Sequence, residues 1–235
     1  MKKIAGCFGF FIGCQVIAVA AMAGTGGVST ATVNKGQLTT SLRTSYSPAD
    51  NNIRTEGQFS SRIMFDYGFT DRFSLGLYGQ TERRADDDPE FSSVMLDAKV
   101  ELTEAAKRGF YSGFRVRYTL KDSDKKPDNA SLKLIVGAPA GKWDFRMNQI
   151  LYYEVGEDGS DGINFETRLQ TSYYYHPQHR IGVESFRDFH LQTHELGPIL
   201  AGAITDTLSY EVGYHVGLTD STADNTFRFF LTQAF

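Results

Sequence analysis

Apolar and polar residues alternate with a period of two along most of this chain, which indicates β-strands with two different faces. The alternation is clearest at 91–103, where one parity is aliphatic and the other is largely charged. Proline withholds a ladder donor, so Gly197-Pro198 predicts a bulge or a sheet edge. The pattern predicts twelve strands of roughly ten residues, at 36–46, 54–67, 72–82, 91–103, 110–120, 130–138, 142–154, 163–175, 180–188, 191–204, 208–217 and 226–235.

The connections between these strands alternate in length. Those near residues 69, 106, 140, 178 and 206 are mostly short, and those near 50, 87, 125, 158, 189 and 222 are mostly longer and polar. Tilted strands of this length span a bilayer, and transmembrane barrels carry short turns at one end and long loops at the other. The sequence therefore predicts an all-β fold, a single transmembrane antiparallel up-and-down barrel of about 12 strands at 36–235. An even strand count puts both termini on the periplasmic side.

The two parities predict two different surfaces. The apolar one should face lipid, because a charge there costs about 2–4 kcal/mol at the bilayer midplane. Aromatic residues gather near the short turns and again near the long loops, which predicts two interfacial girdles. The polar parity should line the lumen with nearly balanced charges: Arg43, Arg62, Asp66, Asp97, Lys99, Glu101, Arg115, Arg117, Lys133, Asp144, Arg146, Glu166, Arg168, Glu184, Glu211 and Arg228.

Residues 1–23 predict a cleaved secretory signal. Lys2 and Lys3 precede a largely apolar stretch that ends in the small-x-small pattern Ala21-Met22-Ala23. A membrane anchor fits less well, because the apolar run is short and no charge follows it. Residues 11–14 resemble a lipoprotein cleavage box, but apolar sequence continues beyond it. Residues 24–35 are small and mostly polar, and we expect a flexible N-terminal segment there.

Composition narrows the chemistry. Both cysteines, Cys7 and Cys14, lie in the signal, so the mature chain would have no disulfide or thiolate metal site. Removing Lys2 and Lys3 changes the net charge from −4 to −6. A mildly acidic chain gives no reason to expect nucleic acid as a partner. After Ala23 no uninterrupted apolar run is long enough for a membrane helix.

Candidates for catalysis or metal binding are few. A lipid hydrolase on a barrel would need a Ser or His with a polar orienter. Ser185 is near His190, but only in the sequence, which is weak evidence for such a pair. His190 and His194 lie beside Glu195, and either bind a metal or are exposed loop histidines. The acidic stretches 86–88 and 157–161 either bind divalent cations or are solvated loops. We therefore assign no catalytic residue, metal or cofactor, and expect no enzyme activity.

Phe235 and the alternating stretch before it resemble the closing strand of bacterial outer-membrane barrels. The resemblance implies that Phe235 is part of a signal for the barrel-assembly machinery. It also implies a location in the bacterial outer membrane, surrounded by lipid and lipopolysaccharide. Gly217-Leu218-Thr219-Asp220 and Asn225-Thr226-Phe227-Arg228 are similar to the ends of a group that includes transporters attached to phenol-degradation pathways. No functional residue is transferred from that group.

These observations predict a narrow porin-like channel for small solutes, with a lumen of paired charges. The alternatives are a filled barrel that presents loops to a partner and, with less support, an outer-membrane lipid hydrolase. The sequence leaves the bore, the solute and the oligomeric state open. It predicts that the closing strand pairs with the first strand and with 208–217. Arg228 should then lie close to Glu211 or His215.

Overall fold

Twelve antiparallel strands form a closed barrel within the part of the chain that the computed structural model describes, which is residues 24–48, 57–83, 88–122, 127–156, 159 and 162–235. The strands are β1 (Leu38–Tyr46), β2 (Phe59–Gly68), β3 (Phe73–Arg83), β4 (Glu90–Thr103), β5 (Tyr111–Lys121), β6 (Asp128–Ala140), β7 (Trp143–Val155), β8 (Asn164–His176), β9 (His179–Asp188), β10 (Thr193–Ala203), β11 (Leu208–Gly217) and β12 (Asn225–Ala234). The predicted twelve-strand barrel is therefore confirmed.

A four-residue helix, α1 (Ala105–Arg108), connects β4 to β5. Among the described residues, no helix is long and apolar enough to cross a bilayer. The predicted signal at 1–23 and most of the two acidic stretches lie outside the described residues.

The barrel closes through β12, which pairs with β11 on one side and with β1 on the other, as predicted. Leu231 is in register with Tyr210 on β11 and with Leu42 on β1. The backbone N–H of Phe235 donates to the carbonyl of Leu38 at 2.8 Å. Closure removes the open sheet edge, whose unpaired backbone groups hydrocarbon does not tolerate.

The two ends of the barrel differ as the sequence predicted. One end, called the short-turn end, carries the connections 69–72, 104–110, 141–142, 177–178 and 204–207. The other, called the long-loop end, carries 47–58, 84–89, 122–127, 156–163, 189–192 and 218–224. Thr70 and Thr205 each fix a short turn, since their hydroxyls accept the backbone N–H groups of Phe73 and Leu208 at 2.9 and 3.0 Å. The chain enters β1 and leaves β12 at the short-turn end.

The region of Gly197 and Pro198 differs from its prediction. β10 lies between β9 and β11, and its register against β11 is the same on both sides of these residues, so there is neither an edge nor a register shift. Both residues pair with β9, but their ladder to β11 is interrupted. Proline has no N–H, and an ideal Cβ on Gly197 would lie 1.8 Å from the carbonyl oxygen of Tyr214. At these two residues the strands stay close together, and only the ladder pairing to β11 is lost.

The outer surface of the strands is apolar. Leu77 and Leu96 are 51% and 53% exposed although both lie near the middle of a strand. Met95, the inward neighbour of Leu96, is fully buried. An apolar band around a closed barrel is typical of barrels that span a membrane.

Aromatic side chains contact one another at both ends of this band. At the short-turn end, Tyr67 packs edge-on against Phe69 with centroids 4.9 Å apart, and Trp143 packs on Tyr173 at 5.1 Å. At the long-loop end, Tyr214 lies 4.9 Å from Phe227. These contacts lie at the levels where the sequence placed the two girdles.

Candidate functional site in the barrel lumen

Residues 24–35 run through the lumen along most of its length. Near the short-turn end, the backbone N–H of Val33 donates to Glu101 at 2.9 Å. At mid-depth, the N–H of Ser29 donates to Asn148 Oδ1 at 2.7 Å, and Asn148 Nδ2 donates back to the Ser29 carbonyl at 3.0 Å. Nearer the long-loop end, the carbonyl of Gly24 accepts a hydrogen bond from Arg228 Nε at 3.0 Å. We call residues 24–35 the lumenal segment.

Small residues allow the lumenal segment to lie against the barrel wall. An ideal Cβ on Gly26 would lie 2.2 Å from Arg168 Nη1, so only glycine fits beside that guanidinium. Further along, Ala31 is fully buried against Tyr111 and Ile135. The segment therefore occupies space that larger side chains would overfill.

Nothing in the sequence indicated that this segment lies in the lumen. Its Gly, Ser, Thr and Ala residues are also typical of a flexible linker. Its contacts with the barrel wall leave no periodic pattern of apolar and polar residues in the sequence. Only Gly26-Gly27 marks the close approach, and paired glycines are common in turns. The predicted flexibility concerns motion and stays a prediction.

Buried ion pairs connect many of the charged residues that the sequence assigned to the lumen. Arg117 and Asp97 are directly opposite each other on β5 and β4, and Arg117 Nε lies 2.6 Å from the carboxylate. Arg180 reaches Glu211 at 2.8 Å across β10, where the intervening residue is the small Ala201. Each cation thereby gains a counter-charge away from bulk water.

The sixteen assigned residues fall into three groups in the structure. Arg43, Arg62, Arg115, Arg117, Lys133, Glu166 and Arg168 line a cavity of about 140 Å³ that extends toward the long-loop end. Asp66, Lys99, Arg146 and Glu211 line a second cavity of about 500 Å³ near the short-turn end, which Arg43 and Arg115 also touch. The third group is buried, and its members form hydrogen bonds or ion pairs: Asp97, Glu101, Asp144, Glu184 and Arg228.

The lumenal segment lies between these two cavities. Gly27 and Ser29 line both cavities. The cavity of about 140 Å³ lies on the long-loop side of these residues. The cavity of about 500 Å³ lies on their short-turn side. A third cavity of about 310 Å³ lies beside Thr30 and Thr32 near the short-turn end. We call the cavity toward the long-loop end the outer cavity and the cavity of about 500 Å³ the inner cavity. The arrangement is two charged cavities on opposite sides of the lumenal segment.

Arg228 shows what the sequence predicted and what it missed. Its Nη1 lies 3.5 Å from His215 Nε2 on the neighbouring strand, as predicted. Its carboxylate partner is Glu184 on β9 at 3.2 Å, rather than Glu211. Contacts across the lumen join strands that are distant in sequence, so a period-two pattern does not identify them.

The predicted lumen residues were all charged, so two uncharged polar residues of β3 were not among them. Gln80 is 2% exposed, and its Oε1 accepts a hydrogen bond from Arg62 Nε at 2.8 Å. Tyr78 donates its hydroxyl proton to Asp66 at 2.7 Å. Both residues occupy the inward parity of β3, and that position is the signal that would have found them.

The histidines near the long-loop end include one with a serine partner. His194 Nε2 lies 3.1 Å from Ser185 Oγ, on the parity that faces outward from β9 and β10. The described residues contain no group of three His, Cys, Asp or Glu side chains that could hold a metal ion. The sequence placed Ser185 near His190, whereas its hydrogen-bonding partner is His194.

Several solved structures share this architecture. The KdgM porin matches with a TM-score of 0.59 at 10% identity, over 84% of this chain and 99% of that one. An outer-membrane channel from Pseudomonas putida F1 matches with 0.60 at 14% identity, over 86% and 97%. The NanC porin matches with 0.61 at 9% identity, over 83% and 98%. At such identities the likeness establishes the fold, which is that of an outer-membrane β-barrel.

The sequence matches no protein-family model and no curated protein.

Proposed function

We propose that the protein is a narrow outer-membrane channel for small solutes. The observation that carries the proposal is the pair of cavities on opposite sides of the lumenal segment, both lined by charged side chains. A closed barrel with an apolar outer surface supports a location in the bacterial outer membrane. The similar solved structures support the same function, since two are named porins and one is named an outer-membrane channel.

In this proposal the lumenal segment sets the bore. Its backbone is tied to the wall by Glu101, Asn148 and Arg228, so the passage left for solute lies beside it. Twelve strands enclose an interior wider than the filled eight-strand barrels and narrower than the sixteen-strand porins. The solutes should therefore be small and polar or charged.

Planar-bilayer recording of the refolded full-length protein tests the proposal. We expect small, discrete conductance steps, and a larger conductance after deletion of residues 25–33. A wild-type protein without conductance at any voltage, whose deletion variant is equally silent, would overturn the channel. That outcome would favour the filled barrel that presents its loops to a partner.

A lipid hydrolase is a second candidate function, because Ser185 and His194 lie within hydrogen-bond distance on the outward face. In such an enzyme, the histidine would accept the serine proton while the serine oxygen attacks the ester carbonyl, and would return the proton to the departing alcohol as the ester C–O bond breaks. Water would then hydrolyse the acyl-serine, releasing the fatty acid and restoring the serine. The test is release of fatty acid from phospholipid in mixed micelles. Activity lost in Ser185→Ala, but kept in Ser61→Ala on the outward parity of β2, would support it. No release by the wild-type protein would exclude it.

The remaining partners follow from the location. Lipid should contact the apolar band, and lipopolysaccharide should surround the long-loop end. The barrel-assembly machinery should read Phe235, whose side chain is 72% exposed. The similarity to transporters attached to phenol-degradation pathways stays a proposal, resting on residues 217–220 and 225–228.

A further inference from the structure

Cations and carboxylates are unevenly distributed around the outer cavity. The inward cations Arg43, Arg62, Arg117 and Lys133 lie on β1, β2, β5 and β6, and they line the outer cavity. We call these four strands the basic wall. The carboxylates of the same cavity, Glu154, Glu166, Asp188 and Glu195, lie on β7 to β10, together with one cation, Arg168, which is paired with Glu166. This uneven distribution leaves several cations of the basic wall distant from a counter-charge.

Three cations of the basic wall have no ion pair with any residue that the structure describes. Among the described residues, the structure shows no carboxylate within 4.0 Å of Arg43, Arg62 or Lys133. Arg62 is 5% exposed and Lys133 is 9% exposed, so bulk water does not take the place of a counter-ion. Burying a charge without a partner is costly.

Neutral groups hold these cations in position. Arg62 donates to the amide oxygen of Gln80 through Nε at 2.8 Å and also through Nη2. The guanidinium of Arg43 lies over the ring of Phe230, with Cζ 4.7 Å from its centroid, and its Nε is buried without a hydrogen bond. Both guanidinium groups are therefore fixed in place while their full charge remains available.

Like charges also face each other across the sheet. Arg43 is in register with Arg62, and Arg115 is in register with Lys133. Opposed like charges destabilise a sheet. One carboxylate, Asp97, serves both Arg115 at 3.2 Å and Arg117 at 2.6 Å, so it neutralises only one of them. The basic wall therefore keeps a surplus of positive charge.

We propose that the basic wall binds a small oxyanion, a carboxylate or a phosphate, in the outer cavity. A volume of about 140 Å³ has room for roughly five water molecules, which suits inorganic phosphate or a short carboxylic acid. Guanidinium groups bind such oxygens through charge-assisted hydrogen bonds. The site would identify the solute class of the proposed channel. Transport of the anion rests on the proposed function, whereas binding of the anion does not.

Calorimetric titration of the refolded full-length protein with sodium phosphate, and separately with sodium succinate, tests the site. We expect saturable binding at low ionic strength, and the tighter of the two ligands identifies the oxyanion. Arg62→Gln should weaken the affinity for that anion at least tenfold, and Arg62→Lys should keep most of the affinity. Arg180→Gln removes the same charge from the inner cavity and should change the affinity less than twofold.

Heat-modifiable migration on gels shows whether each variant folds. If Arg62→Gln does not fold, Lys133→Gln is the second variant, and the same tenfold loss is expected. Absence of binding to both anions, or equal losses in Arg62→Gln and Arg180→Gln, would overturn the site. A protein that binds phosphate but does not conduct keeps the site and refutes the channel. One that conducts but binds neither anion refutes the site alone.

Discussion

Gly26 lies so close to Arg168 that an ideal Cβ on the glycine would be 2.2 Å from the guanidinium Nη1. Arg168 has little freedom to retreat, because Glu166 accepts its Nε at 2.5 Å and its Nη2 at 3.0 Å. The contact joins the lumenal segment to the middle of the barrel wall. It shows that the position of the segment depends on the absence of one side chain.

Gly26→Val should displace the lumenal segment, since the barrel wall and the Arg168–Glu166 pair resist movement more than a chain end does. We expect a larger single-channel conductance than in the wild-type protein. Thr32→Val is the matched control, because Thr32 belongs to the same segment but is exposed to the lumen. An unchanged conductance in Gly26→Val would show that the segment does not limit the passage.

Asp97→Asn should destabilise the barrel more than Asp144→Asn. Asp97 is 4% exposed and is the partner of both Arg115 and Arg117, whereas Asp144 is the partner of Arg146. Removing one member of a buried ion pair costs about 3–5 kcal/mol, because the other charge stays buried. Thermal unfolding followed by heat-modifiable migration measures the difference. Equal midpoints for the two variants would contradict the shared role of Asp97.

The strands were predictable because the environment acts on every second residue. Lipid excludes charge from the outward parity, so residues such as Leu77 and Leu96 identify the surface and the register at once. The same reasoning placed Arg228 near His215, because the two occupy adjacent strands at almost the same height. Patterns that repeat along the chain therefore gave the architecture.

The site was less predictable, because its contacts cross the lumen. The Arg228–Glu184 pair joins β12 to β9, and Asn148 on β7 holds Ser29 of the lumenal segment. Neither contact has a periodicity, and each depends on how far side chains extend into a shared interior. The structure was needed to show that the charge of Arg62 is unpaired, because its hydrogen-bonding partner is the neutral Gln80. A count of charges along the sequence had suggested balance.

Deleting Phe235 should impair assembly in cells far more than it impairs stability. The side chain is 72% exposed, so its loss removes little packing, while its backbone N–H contributes one hydrogen bond to Leu38. A strong loss of heat-modifiable protein from outer-membrane fractions is expected, because the residue is read before the barrel closes. Phe235→Ala keeps the backbone bond and should show the same loss. Normal assembly of both variants would remove the role assigned to the side chain.

Gly197→Ala should impair the barrel, whereas Gly79→Ala should not. An ideal Cβ on Gly197 would lie 1.8 Å from the backbone oxygen of Tyr214, which a side-chain rotation does not relieve. On Gly79 the nearest atom would be Ile63 Cγ2 at 3.9 Å, an ordinary contact.

Overpacking typically costs about 1–3 kcal/mol, and here β10 and β11 would have to separate beside Pro198, where their ladder is already interrupted. Gly79→Ala restricts the unfolded chain and should be neutral or stabilising by up to about 1 kcal/mol. Thermal midpoints of the two refolded variants measure the contrast. A Gly197→Ala barrel as stable as Gly79→Ala would mean that β10 and β11 do not approach as closely as the Gly197–Tyr214 distance requires.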